Sequence, residues 1–421
     1  MNINTFKAFR SRNYRLFFSG QSVSLIGTWM QRTAVYWLIY EQTHSAFMLG
    51  LAVFAAQFPS FLFSPLGGVI SDRYSRYRVL LATQVASLIQ ATLLTVIVIF
   101  TQYTIGEIFA FSVLLGIINA FDIPARQSMV NEMVDKEDLS NAIALNSSMV
   151  NLARLVGPAI SGIVLEKFGA GTCFLINALS FFAVIGSLLF MRFPEFIAQS
   201  HPKKVFKEFK EGFVYLKNTP IIGSIILMLG CISLLVLPYN TLLPVYAKVI
   251  FNGSASTFGY LNSAIGLGAV GGAFFLASLK TGVNLKKILF INLLIFGGAL
   301  ILFSHMTNLP VALFFAMLAG FGMMSQTTIS NTILQTRVSA EMRGRVISYF
   351  AMALFGMQPL GGLLIGTISQ YVGAPDTILA EGIAAIIIAI SFLPFLRRET
   401  LKEANKINPY DFEEQSINTN Q

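Results

Sequence analysis

The chain alternates long apolar runs with short polar connections over most of its length. A run of about 20 apolar residues is long enough to cross the hydrocarbon core of a bilayer as an α-helix. The pattern therefore predicts an all-α polytopic membrane protein with about twelve transmembrane helices. We number these spans one to twelve, near residues 14–40, 46–70, 79–100, 105–127, 140–166, 170–193, 220–247, 256–279, 286–305, 309–334, 344–368 and 373–396.

Composition agrees with this interpretation. Of the 421 residues, 55% are hydrophobic and 12% are charged, whereas a soluble protein carries about 25% charged residues. The net charge of +9 does not indicate nucleic acid binding, because the basic residues lie in short connections and termini. Both cysteines, Cys173 and Cys231, lie in apolar runs, which argues against a disulfide framework and against a metal site.

The basic residues predict the orientation of the chain. Cytoplasmic loops of membrane proteins carry an excess of Lys and Arg. Only Lys167 and Lys248 fall on one side of the predicted spans, so we expect the other side, with both termini, to be cytoplasmic. The residues on that side are Lys7, Arg10, Arg12, Arg15, Arg73, Arg76, Arg78, Arg126, Lys136, Arg192, Lys203, Lys204, Lys207, Lys210, Lys217, Lys280, Lys286, Lys287, Arg337, Arg343 and Arg345.

The longest polar connection, residues 194–219, separates two groups of six spans. In it, Phe206, Phe209, Phe213 and Leu216 recur at three- and four-residue spacing among lysines. This spacing predicts an amphipathic helix on the membrane surface. We therefore divide the chain into an N-terminal domain (1–193), a cytoplasmic linker (194–219), a C-terminal domain (220–396) and a cytoplasmic tail (397–421).

The two halves repeat in parallel. A shift of 204 residues places six of the seven glycines between 67 and 169 on a second glycine. Parallel six-helix repeats are a known way of building transporter folds. The pairs are Gly67/Gly271, Gly68/Gly272, Gly116/Gly320, Gly157/Gly361, Gly162/Gly366 and Gly169/Gly373.

A short charged hairpin, residues 67–78, follows span two. Asp72 and three arginines fall within seven residues, which marks a membrane surface. One interpretation is a loop that only sets topology; the other is a gate latch. The spacing Gly68-x-x-x-Asp72-Arg73-x-x-Arg76 resembles the loop motif that joins the second and third helices of major facilitator superfamily transporters.

A second resemblance narrows the family. The segments 37–50, 119–127, 137–147 and 151–158 resemble the branch of that superfamily that includes bacterial siderophore (enterobactin-type) exporters and macrolide efflux pumps. The resemblance implies two six-helix domains around a central cavity that opens alternately to each side. It implies export of an amphipathic small molecule, a siderophore or a drug, across the bacterial inner membrane by proton antiport, in a functional monomer.

The sequence shows no catalytic arrangement. The three histidines are scattered, and no phosphate-binding G-x-x-x-x-G-K-[ST] occurs, so we expect no enzyme activity, no cofactor and an ion gradient as the energy source. Two other functions stay open: uptake of a nutrient, and a receptor or scaffold on a transporter-like fold. The sequence shows no appended signalling domain that would support the receptor or scaffold function.

The candidate gating residues are charged or small and lie at the cytoplasmic ends of spans. We expect Asp72, Arg76 and Asp122 to form one charge cluster, because the family resemblance places a loop arginine against this acid. We also expect Asp72 to meet the N-terminus of span eleven, near Gly344, when the cytoplasmic side is closed. The gating set is Asp72, Arg73, Arg76, Asp122, Arg126 and Gly344.

Charged residues inside spans are candidates for the transport pathway, because burying a charge in a membrane is costly. Arg32 lies in span one and Arg154 in span five. Each either attracts an anionic or polar substrate, pairs with an acid, or serves as a structural hydrogen-bond donor between helices. Glu381, early in span twelve, is either a residue of the outer rim or a proton carrier. Further polar candidates, each of which could instead join helices, are Asn119, Gln127, Asn146, Asn151, Gln326, Asn331 and Gln358.

Small residues predict where helices pack closely. Gly67 and Gly68 in span two should let a neighbouring helix approach. Gly157-Pro158-x-x-x-Gly162 resembles the span-five motif of major facilitator antiporters, which implies close packing and a bend.

Overall fold

The computed structural model describes residues 3–193, 205–279 and 283–404, and the spans in this part of the chain are helical. The first half contains Arg12–Thr43, Ala46–Arg73, Arg76–Phe100, Ile105–Met133 and the 51-residue Leu139–Leu189, which holds spans five and six. The second half contains Pro220–Ile250, Ala255–Ala277, Leu285–Ser304, Leu309–Arg337, the consecutive segments Ala340–Ala351, Met352–Gly356 and Met357–Val372, and Ala374–Ala404.

The number of membrane passes agrees with the sequence. Ten helices of the described residues are long and apolar enough to span a membrane. One of them, Leu139–Leu189, crosses twice, and Arg12–Thr43 is a further helix of 32 residues. The prediction of an all-α bundle of two six-helix halves is confirmed.

Spans five and six turn back at a glycine. Gly169 has φ 80° and ψ 173°, a conformation that side chains other than glycine rarely adopt. The Ser161 hydroxyl consequently lies 3.8 Å from the Cys173 thiol, although twelve residues of straight helix extend about 18 Å. Gly373, its partner in the repeat, has φ 88° between spans eleven and twelve. The repeat thus supplies a glycine at the same turn in both halves.

The bundle has two chemically different ends. We call the end that carries Arg73, Arg76 and Arg337 the basic end, and the end that carries Thr43, Phe100 and Ser304 the opposite end. At the basic end, span eleven begins at Ala340 and follows Ser339, not near Gly344 as expected. The acidic Glu341 lies in its first turn, where the helix dipole favours a negative charge.

The two halves meet towards the opposite end. There, Cβ atoms built on Gly50 and Gly366 would meet the backbone of span eleven and span two respectively. Gly162 of span five is equally close to span eight, with 3.0 Å from such a Cβ to the Gly259 Cα. Nearer the basic end, a Cβ on Gly68 or Gly344 would meet nothing within 4 Å. The close contacts between the halves therefore lie towards the opposite end, and we interpret the structure as closed there and open at the basic end.

Polar contacts join the halves at the same place. The Ser45 hydroxyl donates to Gln370 Oε1 at 3.0 Å, and Lys248 Nζ lies 4.0 Å from Glu41 Oε1. Within the N-terminal half at this end, Gln42 donates to the Tyr103 hydroxyl oxygen at 2.7 Å. Burial and, secondarily, the nearby Glu41 charge raise the pKa of Tyr103, so its phenol stays neutral at physiological pH.

Gly67 and Gly68 behave differently. A Cβ on Gly67 would collide with the Ala120 carbonyl group of span four, so this residue permits close packing. The expectation that Gly68 shares this role is wrong for this conformation, because adjacent residues of a helix point in different directions.

The described part of the linker is a helix, Val205–Asn218, that lies on span eleven. Arg345 Nη1 is 2.8 Å from Glu211 Oε2, and the Tyr349 hydroxyl donates to the Phe209 carbonyl oxygen at 3.0 Å. Residues 194–204 of the predicted linker and 405–421 of the predicted tail lie outside the described residues.

Candidate transport pathway

The guanidinium groups of Arg32 and Arg154 both lie over the ring of Trp29. The Arg32 guanidinium lies over the Trp29 ring, 5.1 Å from its centroid, and its Nε donates to the Tyr36 hydroxyl at 3.2 Å. The three residues are spaced one helical turn apart on span one, so their side chains share a face. Arg32 therefore lies on an aromatic surface within the bundle.

Span five brings the second arginine to the same ring. A Cβ on Gly157 would lie 2.5 Å from the Trp29 Cβ, so glycine at this position lets spans five and one touch. Arg154, one turn before Gly157, then lies with its guanidinium 5.5 Å from the Trp29 centroid. Its buried Nε atom has no hydrogen-bond partner in the described part of the chain.

A broken helix faces this cluster from the other half. Span seven is regular from Pro220 to Leu235, breaks at Val236, and continues as a tight turn over Leu237–Leu242. Broken helices at membrane depth are found where they line a cavity or a binding site. Tyr239 lies in this break, packs edge-on against Phe296 at 5.8 Å, and interacts electrostatically with Arg154 and Glu381.

Glu381 is the buried acid of the pathway. Its residue is 2% exposed, and neither carboxylate oxygen has a hydrogen-bond partner among the described residues. The helix begins at Ala374, so Glu381 lies two turns inside it. The carboxylate is thus buried in this conformation, and whether Glu381 carries a proton or belongs to the outer rim stays a prediction.

The remaining polar candidates are spread along the bundle. Gln326 is fully buried, and its Nε2 atom lacks a partner in the described structure. Asn151 donates to the Ser147 carbonyl oxygen of its own helix at 2.9 Å. Asn119, Asn146 and Gln358 are half-buried. No hydrogen bond between these amides and Arg32 or Arg154 is seen in the described residues, and their part in transport stays a prediction.

The charges at the basic end form two separate groups. The buried Asp122 pairs with Arg126 at 3.2 Å and accepts hydrogen bonds from Thr83 at 3.0 Å and Gln84 at 2.6 Å. Arg76 instead pairs with Glu132. Among the described residues no ion pair joins Arg76 to Asp122, so this part of the expected cluster of Asp72, Arg76 and Asp122 is not seen in this conformation. Whether it forms when the basic end closes stays a prediction.

Asp72 is exposed at the open basic end. We expect Asp72→Asn to keep the fold and to shift the population towards this basic-end-open state, because a carboxylate near a helix N-terminus gains about 0.3–1 kcal/mol, or up to about 2 when partly buried. An energy of 1–2 kcal/mol changes a two-state ratio by roughly five- to thirty-fold. Labelling of a cysteine at the exposed Ser147, in a variant without Cys173 and Cys231, measures this population.

The control for this prediction is Asp138→Asn, an acid that precedes span five at the same end. It should leave the labelling unchanged. Unchanged labelling in Asp72→Asn as well would rule out a latch and leave the loop as a topology signal, since acids contribute little to orientation.

Three residues of this site were not among the sequence candidates: Trp29, Tyr36 and Tyr239. Aromatic residues are common in transmembrane spans, so Trp29 and Tyr36 carried no distinctive signal. A signal did exist for Tyr239. Pro238 and Pro244 interrupt span seven, and interrupted spans point to binding sites. In the described residues, no group of three or more His, Cys, Asp or Glu side chains could hold a metal ion.

Comparison with known proteins places this geometry in a family. The family of transmembrane secretion effectors matches residues 3–420. The staphyloferrin A transporter of Staphylococcus aureus is 28% identical over 92% of this chain and 97% of its own length. The enterobactin exporter EntS of Escherichia coli O1:K1 is 26% identical over 90% and 91% of the two chains.

A solved structure shares the fold. The crystal structure of a bacterial homologue of the human lysosomal transporter Spinster, inward-facing and unoccupied, has a TM-score of 0.70 at 15% identity. The match covers 92% of this chain and 98% of that chain. The resemblance drawn from the sequence, to major facilitator transporters and their siderophore-exporting branch, is confirmed.

Proposed function

The chain belongs to the transmembrane secretion effector family of the major facilitator superfamily, and from this premise we propose that it exports an amphipathic small molecule in exchange for protons. It is a multi-pass membrane transporter and not an enzyme. The substrate class is a siderophore or a drug-like compound. One relative of this chain is an enterobactin exporter, which supports the outward direction. The repeat supports a complete pathway within a monomer.

The orientation follows from charge. The basic end carries the arginines of the helix termini, whereas the opposite end carries Lys167 and Lys248. The positive-inside rule assigns the basic end to the cytoplasm of a bacterial cell and, with twelve passes, both termini as well. The structure is then the state that receives substrate from the cytoplasm.

The single observation that carries proton exchange is the environment of Glu381. A carboxylate that is buried without a hydrogen-bond partner is costly in its charged form. We infer that Glu381 holds a proton in this conformation. A substrate that offers a positive charge or a hydrogen-bond donor to the carboxylate can replace this proton, so substrate and proton compete for one site, which is the requirement for antiport.

The test uses everted membrane vesicles that contain the protein and a panel of candidate siderophores and drugs. An inside-acid gradient should drive accumulation of the true substrate, and collapse of the gradient should abolish it. Vesicles without the protein are the control. Accumulation only in right-side-out vesicles would contradict export and would indicate uptake.

A further inference from the structure

The arginine pair of the pathway has an unusual charge balance. Arg32 and Arg154 lie 5.1 Å and 5.5 Å from the centroid of the one Trp29 ring. Neither forms an ion pair with an acidic side chain in the described part of the chain. Arg154 also keeps a buried Nε atom without a partner. Two positive charges therefore share one small region without a local counter-charge.

Such an arrangement is costly. Like charges at close range repel, and burial removes the water that would screen them. The Trp29 ring offsets part of this cost, since its face attracts cations. An unpaired guanidinium nonetheless retains donors that match a carboxylate in shape and charge. Arg32 and Arg154 can therefore bind an anionic group of a ligand.

The neighbouring surface has an apolar, aromatic character. Trp29 and Tyr36 of span one flank Arg32, and Gly157 leaves no side chain between span five and the Trp29 side chain. An apolar or aromatic body attached to the anionic group can pack on such rings. This surface therefore fits an organic anion better than an inorganic one.

We propose that Arg32, Arg154 and Trp29 form the binding subsite for a carboxylate on an aromatic or apolar part of the exported molecule. This inference rests on the proposed function and narrows its substrate class to carboxylate-bearing amphipathic compounds. The carboxylate binds in the N-terminal half, while Glu381 in the C-terminal half binds a donor group of the same molecule. Tyr239 interacts electrostatically with both Arg154 and Glu381. A molecule held at both places contacts both halves, which is how a substrate can influence their relative position.

The fluorescence of Trp29 can report binding at this subsite. Its two tryptophans are Trp29 and Trp37, so the variant Trp37→Phe leaves Trp29 as the only indole. The probes are 2-naphthoate, which carries a carboxylate, and 2-naphthamide, which has nearly the same shape without the charge. Each is titrated into the purified full-length protein in lipid nanodiscs while the emission of Trp29 is recorded.

We expect 2-naphthoate to change this emission saturably and to bind at least about tenfold more tightly than 2-naphthamide, because hydrogen bonds between charged groups are stronger than those between neutral groups. Equal affinities for the two probes, or no saturable change with 2-naphthoate, would overturn the proposal. Both probes are titrated into the same Trp37→Phe protein, so a change in its folding would not produce a difference between them.

Three variants then assign the effect to the arginines. Arg32→Gln and Arg154→Gln should each weaken 2-naphthoate binding about tenfold and leave 2-naphthamide binding unchanged. Arg154→Lys should retain part of the affinity, since it keeps the charge and loses the fork-shaped donor pair. The matched control is Arg15→Gln, which removes an exposed arginine of the same helix and should bind 2-naphthoate as the parent does. Parent-like affinity in both glutamine variants would place the carboxylate elsewhere and contradict the assignment.

The proposed function and this inference fail in different ways. If 2-naphthoate and 2-naphthamide bind alike while a candidate compound still accumulates in everted vesicles, export stands and the carboxylate subsite is wrong. If 2-naphthoate shows the expected preference but no compound moves with the proton gradient, the subsite stands and proton-coupled export is wrong.

Discussion

Replacing Glu381 with Gln is expected to abolish accumulation of substrate driven by a proton gradient, while substrate still equilibrates across the membrane without a gradient. Glutamine keeps the size of the side chain but cannot exchange a proton. One proton that crosses one pH unit supplies about 1.4 kcal/mol, which supports about a tenfold accumulation. The accumulation ratio in everted vesicles should therefore fall from about tenfold to one under that gradient.

Asp376→Asn is the matched control for this change. Asp376 lies on the same helix, but its side chain is 64% exposed and pairs with His305 at 3.2 Å. We expect near-normal accumulation in this variant. Normal gradient-driven accumulation in Glu381→Gln would show that another group carries the proton.

The second large effect is expected from Gly50→Ala, which should prevent full closure of the opposite end and slow transport strongly. A Cβ on Gly50 would collide with the Gly362 carbonyl oxygen and lie 3.1 Å from the Leu363 Cα. These are backbone atoms of span eleven, so the two halves must separate. Overpacking of this kind costs about 1–3 kcal/mol, which corresponds to roughly a five- to 150-fold change in population.

The population is measured by labelling a cysteine at Val53, which is 5% exposed and lies against Gly362 in the closed opposite end. In a variant without Cys173 and Cys231, labelling at this position from the opposite side should rise with Gly50→Ala. Gly186→Ala is the control, because a Cβ there would meet nothing within 4 Å. Equal labelling in the two alanine variants would show that Gly50 does not limit closure.

The architecture could be predicted from the sequence because its signals extend over many residues. Twelve apolar runs and a 204-residue glycine repeat are long-range patterns, and the turns at Gly169 and Gly373 confirm the second of them. Single positions were harder to place. The sequence does not distinguish the packing role of Gly67 from that of Gly68. Only Gly67 faces span four, because adjacent residues of a helix point in different directions.

The candidate site was predictable only in part, because its parts come from distant segments. Arg32, Arg154 and Glu381 stand out as charges within apolar runs. The positions of these three side chains relative to one another depend on Trp29 and on the break in span seven. The sequence alone does not show that these features lie near them. Asp122 illustrates the same limit: the family resemblance suggested an arginine of the loop as its partner, whereas Thr83, Gln84 and Arg126 occupy its oxygens in this state.

The most direct test of proton-coupled export is to measure proton movement when substrate is added. Everted vesicles that contain the protein are loaded with acid, and a pH-sensitive dye in the lumen is followed after addition of a compound that accumulates. The account predicts that the lumen becomes less acidic as the compound enters, and that Glu381→Gln vesicles show no such change. Accumulation of the compound without any proton movement would contradict the account.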